Sequence, residues 1–109
     1  MTLSDKRCLP CEKGGPSLPE KIAMELMSQI PGWELAPGSK EISRLFTLDS
    51  YWAALGFVNA VAWIAQSEKH HPDIDFGCKK VKVKLCTHAV GGLSENDFIV
   101  AAKVNALVA

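Results

Sequence analysis

From Lys80 to Thr87 the chain alternates strictly, with Val81, Val83 and Leu85 on one side and Lys82, Lys84 and Cys86 on the other. Period-two alternation over this length dictates a strand that buries one face and leaves the other to solvent. Such a strand needs neighbours that carry the same pattern. Asp73 to Gly77 lies one short turn before it. Further upstream, Ile42, Arg44, Phe46 and Leu48 share a face of a second strand, with Arg44 the polar exception. Ala36-Pro37-Gly38-Ser39-Lys40 is turn chemistry that folds this strand back on Trp33-Glu34-Leu35. Both strand pairs read as hairpins, which predicts a largely antiparallel sheet.

The segments between the strands are helical by their spacing. Ser17 and Glu20 form a capping-box pattern with Pro19 in the first turn, and Ile22, Ala23, Leu26, Met27 and Ile30 follow at helical intervals, predicting a helix over about 18–30 that stops at Pro31-Gly32. Asp49 or Ser50 caps a second helix, in which Trp52, Leu55, Val58, Val61, Ala62 and Ala65 are read as the core stripe. It is expected to end near Lys69, because Pro72 disfavours helical geometry at His71. After the Gly91-Gly92 turn, Ser94 caps a third helix with Asp97 at the capping-box position and Leu93 against Phe98 as a staple; Ile99, Ala102 and Ala106 continue its inner stripe. The predicted architecture is α+β: two layers, a four-stranded antiparallel sheet with three helices on one face, in the order α-β-β-α-β-β-α. Residues 1–17 read as an N-terminal arm with little to bury, expected to be mobile, and 18–109 as a single domain.

Charge and composition exclude several function classes. Twelve basic residues balance twelve acidic ones among 109, so the electrostatic footprint of a nucleic-acid or membrane-surface binder is missing. Lys80, Lys82 and Lys84 read as a solvated face or a subunit contact. No stretch approaches the roughly 20 apolar residues of a membrane span, and no apolar h-region follows the N-terminus. Without an export signal, Cys8, Cys11, Cys78 and Cys86 are expected to be thiols in a reducing, cytoplasmic setting. An open edge on so small a sheet predicts self-pairing into a homo-oligomer, dimer or tetramer.

All three histidines fall between residues 70 and 88, two of them adjacent. Neighbouring side chains diverge in a helix or a strand, so His70 and His71 converge only where the backbone leaves regular structure, which Pro72 forces. Imidazoles titrate near neutral pH, which suits proton transfer.

The run Gln66, three residues, His70-His71-Pro72, five residues, Cys78, nine residues, His88, eight residues, Asp97 resembles the signature of the pterin-4a-carbinolamine dehydratase family in every spacing. Pro31-Gly32-Trp33, Thr87-His88, Gly91-Gly92-Leu93-Ser94 and the Cys8-x-x-Cys11 segment of the longer members are similar too, so the resemblance covers nearly the whole chain. Two positions depart from it: Gln66 stands where many members have glutamate, and Cys78 where the pattern has an aromatic.

The resemblance implies dehydration of 4a-hydroxytetrahydropterin to quinonoid dihydropterin and water, in the recycling of tetrahydrobiopterin. Elimination of water changes no oxidation state, so no flavin, nicotinamide or metal cofactor is expected. By residue-wise carry-over His70 and His88 form the acid and base pair and His71 holds the pterin. Pro72, Cys78 and Asp97 are carried over as substrate-side residues, Pro72 by setting the backbone, Cys78 by lining the pocket, and Asp97 by orienting a histidine or binding the ring. Two rival readings stand beside this one. Cys8-x-x-Cys11 is half of a zinc ribbon whose second half is missing. The animal members' role as dimerisation partners of a homeodomain transcription factor implies, by resemblance, a non-catalytic interaction protein of the same fold.

Overall fold

A computed structural model describes residues 2–109 of the chain. The sheet forms around the alternating strand. β1 (Glu34–Leu35), β2 (Ile42–Thr47), β3 (Asp73–Phe76) and β4 (Lys80–Leu85) are ordered β1-β2-β4-β3, every pairing antiparallel. The register sets Ile42 opposite Leu85, Arg44 opposite Val83 and Phe46 opposite Val81, so the apolar faces of the two central strands coincide. Val81, Val83, Leu85 and Ile42 are fully buried there. Their alternates Lys80 and Lys82 lie on the opposite, open face, where Asp73 and Asp75 stand opposite Lys84 and Lys82. The order of elements is the one the sequence predicts, with α1 (Glu20–Met27), α2 (Tyr51–Glu68) and α3 (Glu95–Ala106) before, between and after the strand pairs.

Arg44, the polar exception, points inward with its strand face. Its guanidinium lies 4.5 Å from the centre of the Phe46 ring and Nη1 donates to Asn105 Oδ1 at 2.7 Å and to the Pro31 carbonyl at 3.2 Å. The same Asn105 oxygen takes the indole N–H of buried Trp33 at 2.8 Å. Gly32 makes this possible: its φ is +89°, and a Cβ there would sit 2.8 Å from the Arg44 guanidinium.

Three details of the sequence reading change. α1 is shorter than expected and begins after Pro19, with no side chain capping it. In α2 the Ser50 hydroxyl does accept the Ala53 N–H at 3.0 Å, but the core stripe is Ala54, Phe57, Val61, Ala65 and Glu68. Trp52 is 79% exposed and Ala62 also faces out. No charged residue occurs from Tyr51 to Ser67, so apolar spacing alone did not distinguish one face of this helix from the other.

The third concerns the arm. The sequence shows little for residues 1–17 to bury, yet Leu3, in a short 3-10 turn, is 4% exposed within the core and that turn packs along α3. Covered by α2 on one side and the arm on another, α3 buries all six residues from Asn96 to Ala101. Glu68 at the end of α2 holds the arm down. Its carboxylate accepts the Cys8 N–H at 2.8 Å and faces Arg7 at 3.3 Å and Lys103 at 3.6 Å. Burial opposes its charge, but the Cys8 N–H, Lys103 and Arg7 together outweigh burial and hold the carboxyl below its ordinary value.

A carboxyl with a lowered folded pKa contributes stability that is complete above its unfolded value, about 4.3, and is lost as pH falls through the folded value. Glu68→Gln is therefore expected to melt at a lower temperature than the parent at pH 7. The difference should close as the pH drops below about 4, which thermal unfolding across a pH series checks.

Candidate active site

The end of α2 builds the site. Lys69 adopts the left-handed conformation, φ 54° and ψ 39°, and donates its N–H to the carbonyls of Ala65 and Gln66, while the His70 N–H reaches back to Ala65 at 3.0 Å. This is a Schellman turn with lysine where glycine is usual. It stops the helix one residue before the histidine pair and sends His70 and His71 in different directions. Pro72 then leads into β3.

His70 turns inward, with its side chain 13% exposed, and places Nε2 2.6 Å from Oδ1 of Asp97, which is fully buried. The other carboxylate oxygen accepts the Ser94 N–H at 2.9 Å and the Thr87 hydroxyl at 2.8 Å. Asp97 thus caps α3 and fixes His70 with the same side chain. A carboxylate engaged in this way only accepts, so Nε2 of His70 carries the hydrogen, and in the neutral ring the lone pair is then on Nδ1. His71 is exposed, and its Nε2 lies 3.1 Å from Oε1 of Gln66, so an uncharged amide does the orienting at this position. His88 follows β4 in a second 3-10 turn; it is exposed, with Nε2 3.9 Å from the Cys86 sulfur.

These groups meet at a cleft of about 350 Å³ whose walls include His70, His71, His88, Lys69 and Cys86. The three histidines singled out from the sequence are therefore brought together. The substrate-side residues are not. Cys78 sits exposed in the β3–β4 turn, while Pro72 and Cys86 mark the other end of that hairpin, so Cys78 lines nothing in the cleft. β3 ends at Phe76, two residues short of Cys78, and Phe76 stands opposite buried Val81, so even a longer strand would have carried Cys78 on the face opposite to that of Cys86. Asp97, buried with both oxygens engaged, reaches the cleft through His70 and Thr87. Pro72 is half-buried and sets the path into β3 without lining the cleft.

Sequence reasoning missed several contributors. Lys69 carries no signal apart from the fold that surrounds it, and Thr87 stood out only as the neighbour of His88 in the family resemblance. Asn96 and the arm residues Leu9, Pro10 and Cys11 also line the cleft. The cysteines near it are thiols. Burial, and then the Glu68 carboxylate, push Cys8 up to about 12, and burial followed by Asp97 raises Cys86, so neither is a thiolate at neutral pH. The Cys8 thiol donates towards the Asn96 carbonyl at 3.6 Å and Cys11 Sγ lies 3.4 Å from Asn96 Nδ2. Among the described residues, no three His, Cys, Asp or Glu side chains are grouped to hold a metal ion, and no helix is long and apolar enough to cross a membrane.

Comparison with known proteins gives the family and the fold. The family profile described as pterin 4 alpha carbinolamine dehydratase matches residues 16–107. A protein of Nitrosomonas eutropha, provisionally named a pterin-4-alpha-carbinolamine dehydratase, is 49% identical over 97% of this chain and 93% of its own length. One of Stenotrophomonas maltophilia with the same provisional name is 50% identical over 96% and 90%. Among solved structures, the crystal structure of a transcriptional coactivator/pterin dehydratase from Brucella melitensis aligns with TM-score 0.81 and 31% identity, over 85% of this chain and 99% of that one. A pterin dehydratase-like protein identified as a RuBisCO assembly factor in the alpha-carboxysome aligns with TM-score 0.61 and 26% identity, over 70% and 88%. The chain belongs to the pterin-4a-carbinolamine dehydratase family.

Proposed function

We propose that the chain dehydrates 4a-hydroxytetrahydropterin to quinonoid dihydropterin and water by histidine acid/base catalysis. The observation that carries this reading is the pairing of His70 with buried Asp97 at the edge of a cleft that His71 and His88 also line. The reaction needs a proton delivered to the departing C4a hydroxyl and another removed from N5. His70, with its hydrogen held on Nε2 by Asp97, offers Nδ1 as the base, and the carboxylate steadies the imidazolium that forms. His88 then serves as the acid, and His71, oriented by Gln66, holds the ring. One proton passes from N5 to Nδ1 of His70 and the other from His88 to the hydroxyl oxygen. That oxygen leaves as water with the C4a–O bonding pair while the N5 pair forms the new double bond to C4a, so the elimination balances without a redox or metal cofactor. Assay of the purified chain with freshly generated 4a-hydroxytetrahydropterin should show dehydration well above the spontaneous rate; a rate equal to the spontaneous one would sink the reading.

A protein-binding role draws on a separate observation. The outer face of α2 carries Trp52 and Trp63, 79% and 71% exposed and eleven residues apart, thus three helical turns, with no charged residue between them. An apolar face of this kind calls for a cover, and a second copy of the chain is the occupant we propose, giving a homo-oligomer in which catalysis and association coexist. Trp63→Glu is expected to reduce the mass measured by light scattering to that of a smaller species. An unchanged mass, or a parent that is already a monomer, would rule this surface out.

A further inference from the structure

Two buried polar side chains outside the histidine cluster direct their hydrogen bonds at the backbone of the N-terminal arm. Asn96, 8% exposed, brackets Leu9: its Oδ1 accepts the Leu9 N–H at 3.0 Å and its Nδ2 donates to the Leu9 carbonyl at 2.6 Å. Glu68, also 8% exposed, takes the N–H of the residue before. A side-chain amide that satisfies both backbone groups of one residue fixes that residue as a neighbouring strand would. Yet the residue so fixed adds nothing to the core. The Leu9 side chain is 72% exposed, and with Pro10 and Cys11 it forms part of the cleft that holds His70 and His88.

An apolar side chain kept at a cleft wall on a clamped backbone has its area still to bury and little conformational freedom left to lose, both of which favour a ligand. Proline at the next position stiffens the same wall. The histidines, Lys69 and Cys86 across the cleft are polar or titratable, so its apolar lining comes from Leu9 and Pro10 together with Ala89. We propose that Leu9 and Pro10 contact the substrate, the arm forming the wall against which the flat pterin ring lies while the imidazoles exchange protons at its edge. Asn96 is the positioning residue that holds this wall. The proposal rests on the dehydratase reading of the same cleft and assigns substrate contact to a segment that the family resemblance left without a role.

The test separates binding from chemistry. In the double variant Leu9→Ala/Pro10→Gly both changes are on exposed side chains, so thermal stability should stay close to that of the parent. KM for 4a-hydroxytetrahydropterin is expected to rise about tenfold, the order expected when one leucine side chain no longer packs on the ring, with kcat changed by less than about threefold. Asn96→Ala should give the same split, and if that variant fails to fold the double variant still decides. An active parent with unchanged KM in the double variant, or with kcat falling at constant KM, would overturn the role of the arm alone. A parent that neither dehydrates the pterin nor binds it would overturn the dehydratase reading and this inference together.

Discussion

His70→Ala is expected to lower kcat for pterin dehydration by at least about 10², the lower end of what positioned proton transfer contributes. Its side chain meets Asp97 and the cleft and is not part of the apolar core. The loss should therefore appear in turnover while the circular dichroism spectrum stays native. Removing the imidazole does leave the buried Asp97 oxygen without its partner, so some loss of melting temperature is expected as well. What counts against the mechanism is a variant with parental kcat, since the proton acceptor would then lie elsewhere in the cleft.

Asp97→Asn should be as damaging by a different route. The Oδ2 position receives the Ser94 N–H and the Thr87 hydroxyl, so an asparagine places its carbonyl oxygen there and turns its NH2 towards His70. A donor facing Nε2 drives the imidazole hydrogen to Nδ1 and converts the cleft-facing acceptor into a donor. The shape of the site survives and its polarity reverses. A fall in kcat of about 10² to 10⁴ is expected, the range assigned to a positioned acid or base. Because the cap of α3 keeps its acceptor, the fold should be retained. Measuring kcat and melting temperature on the same preparations separates the two effects; a large drop in stability with little change in kcat would make Asp97 a structural cap only.

How much of this was legible in the sequence follows from where the information lay. Local patterns carried the elements: the alternation of Val81, Val83 and Leu85, the Ser50 cap and the Pro72 break all act within a few residues of themselves. The histidines were visible because three of them crowd into nineteen positions and the spacing to Asp97 matches a known signature. The inward face of α2 was not legible, because an uncharged helix carries too little contrast for periodicity to read. Nor was the docked arm, since Leu3, Glu68 and Asn96 make sense only once α2 and α3 lie side by side. Cys78 was misplaced for a related reason: the family spacing gives a position along the chain, but only the length of β3 says that this position falls in the turn.

The left-handed turn at Lys69 ties the chemistry to the end of a helix. Ala65 accepts the amides of both Lys69 and His70, so unwinding the last turn of α2 would release the imidazole ring that leans on Asp97 and carry its neighbour off with it. Glu68 sits on that same turn, which couples the anchorage of the N-terminal arm to the placement of His70. Fraying of this single turn would therefore loosen the arm and the histidine site together, at less cost than unfolding the whole chain.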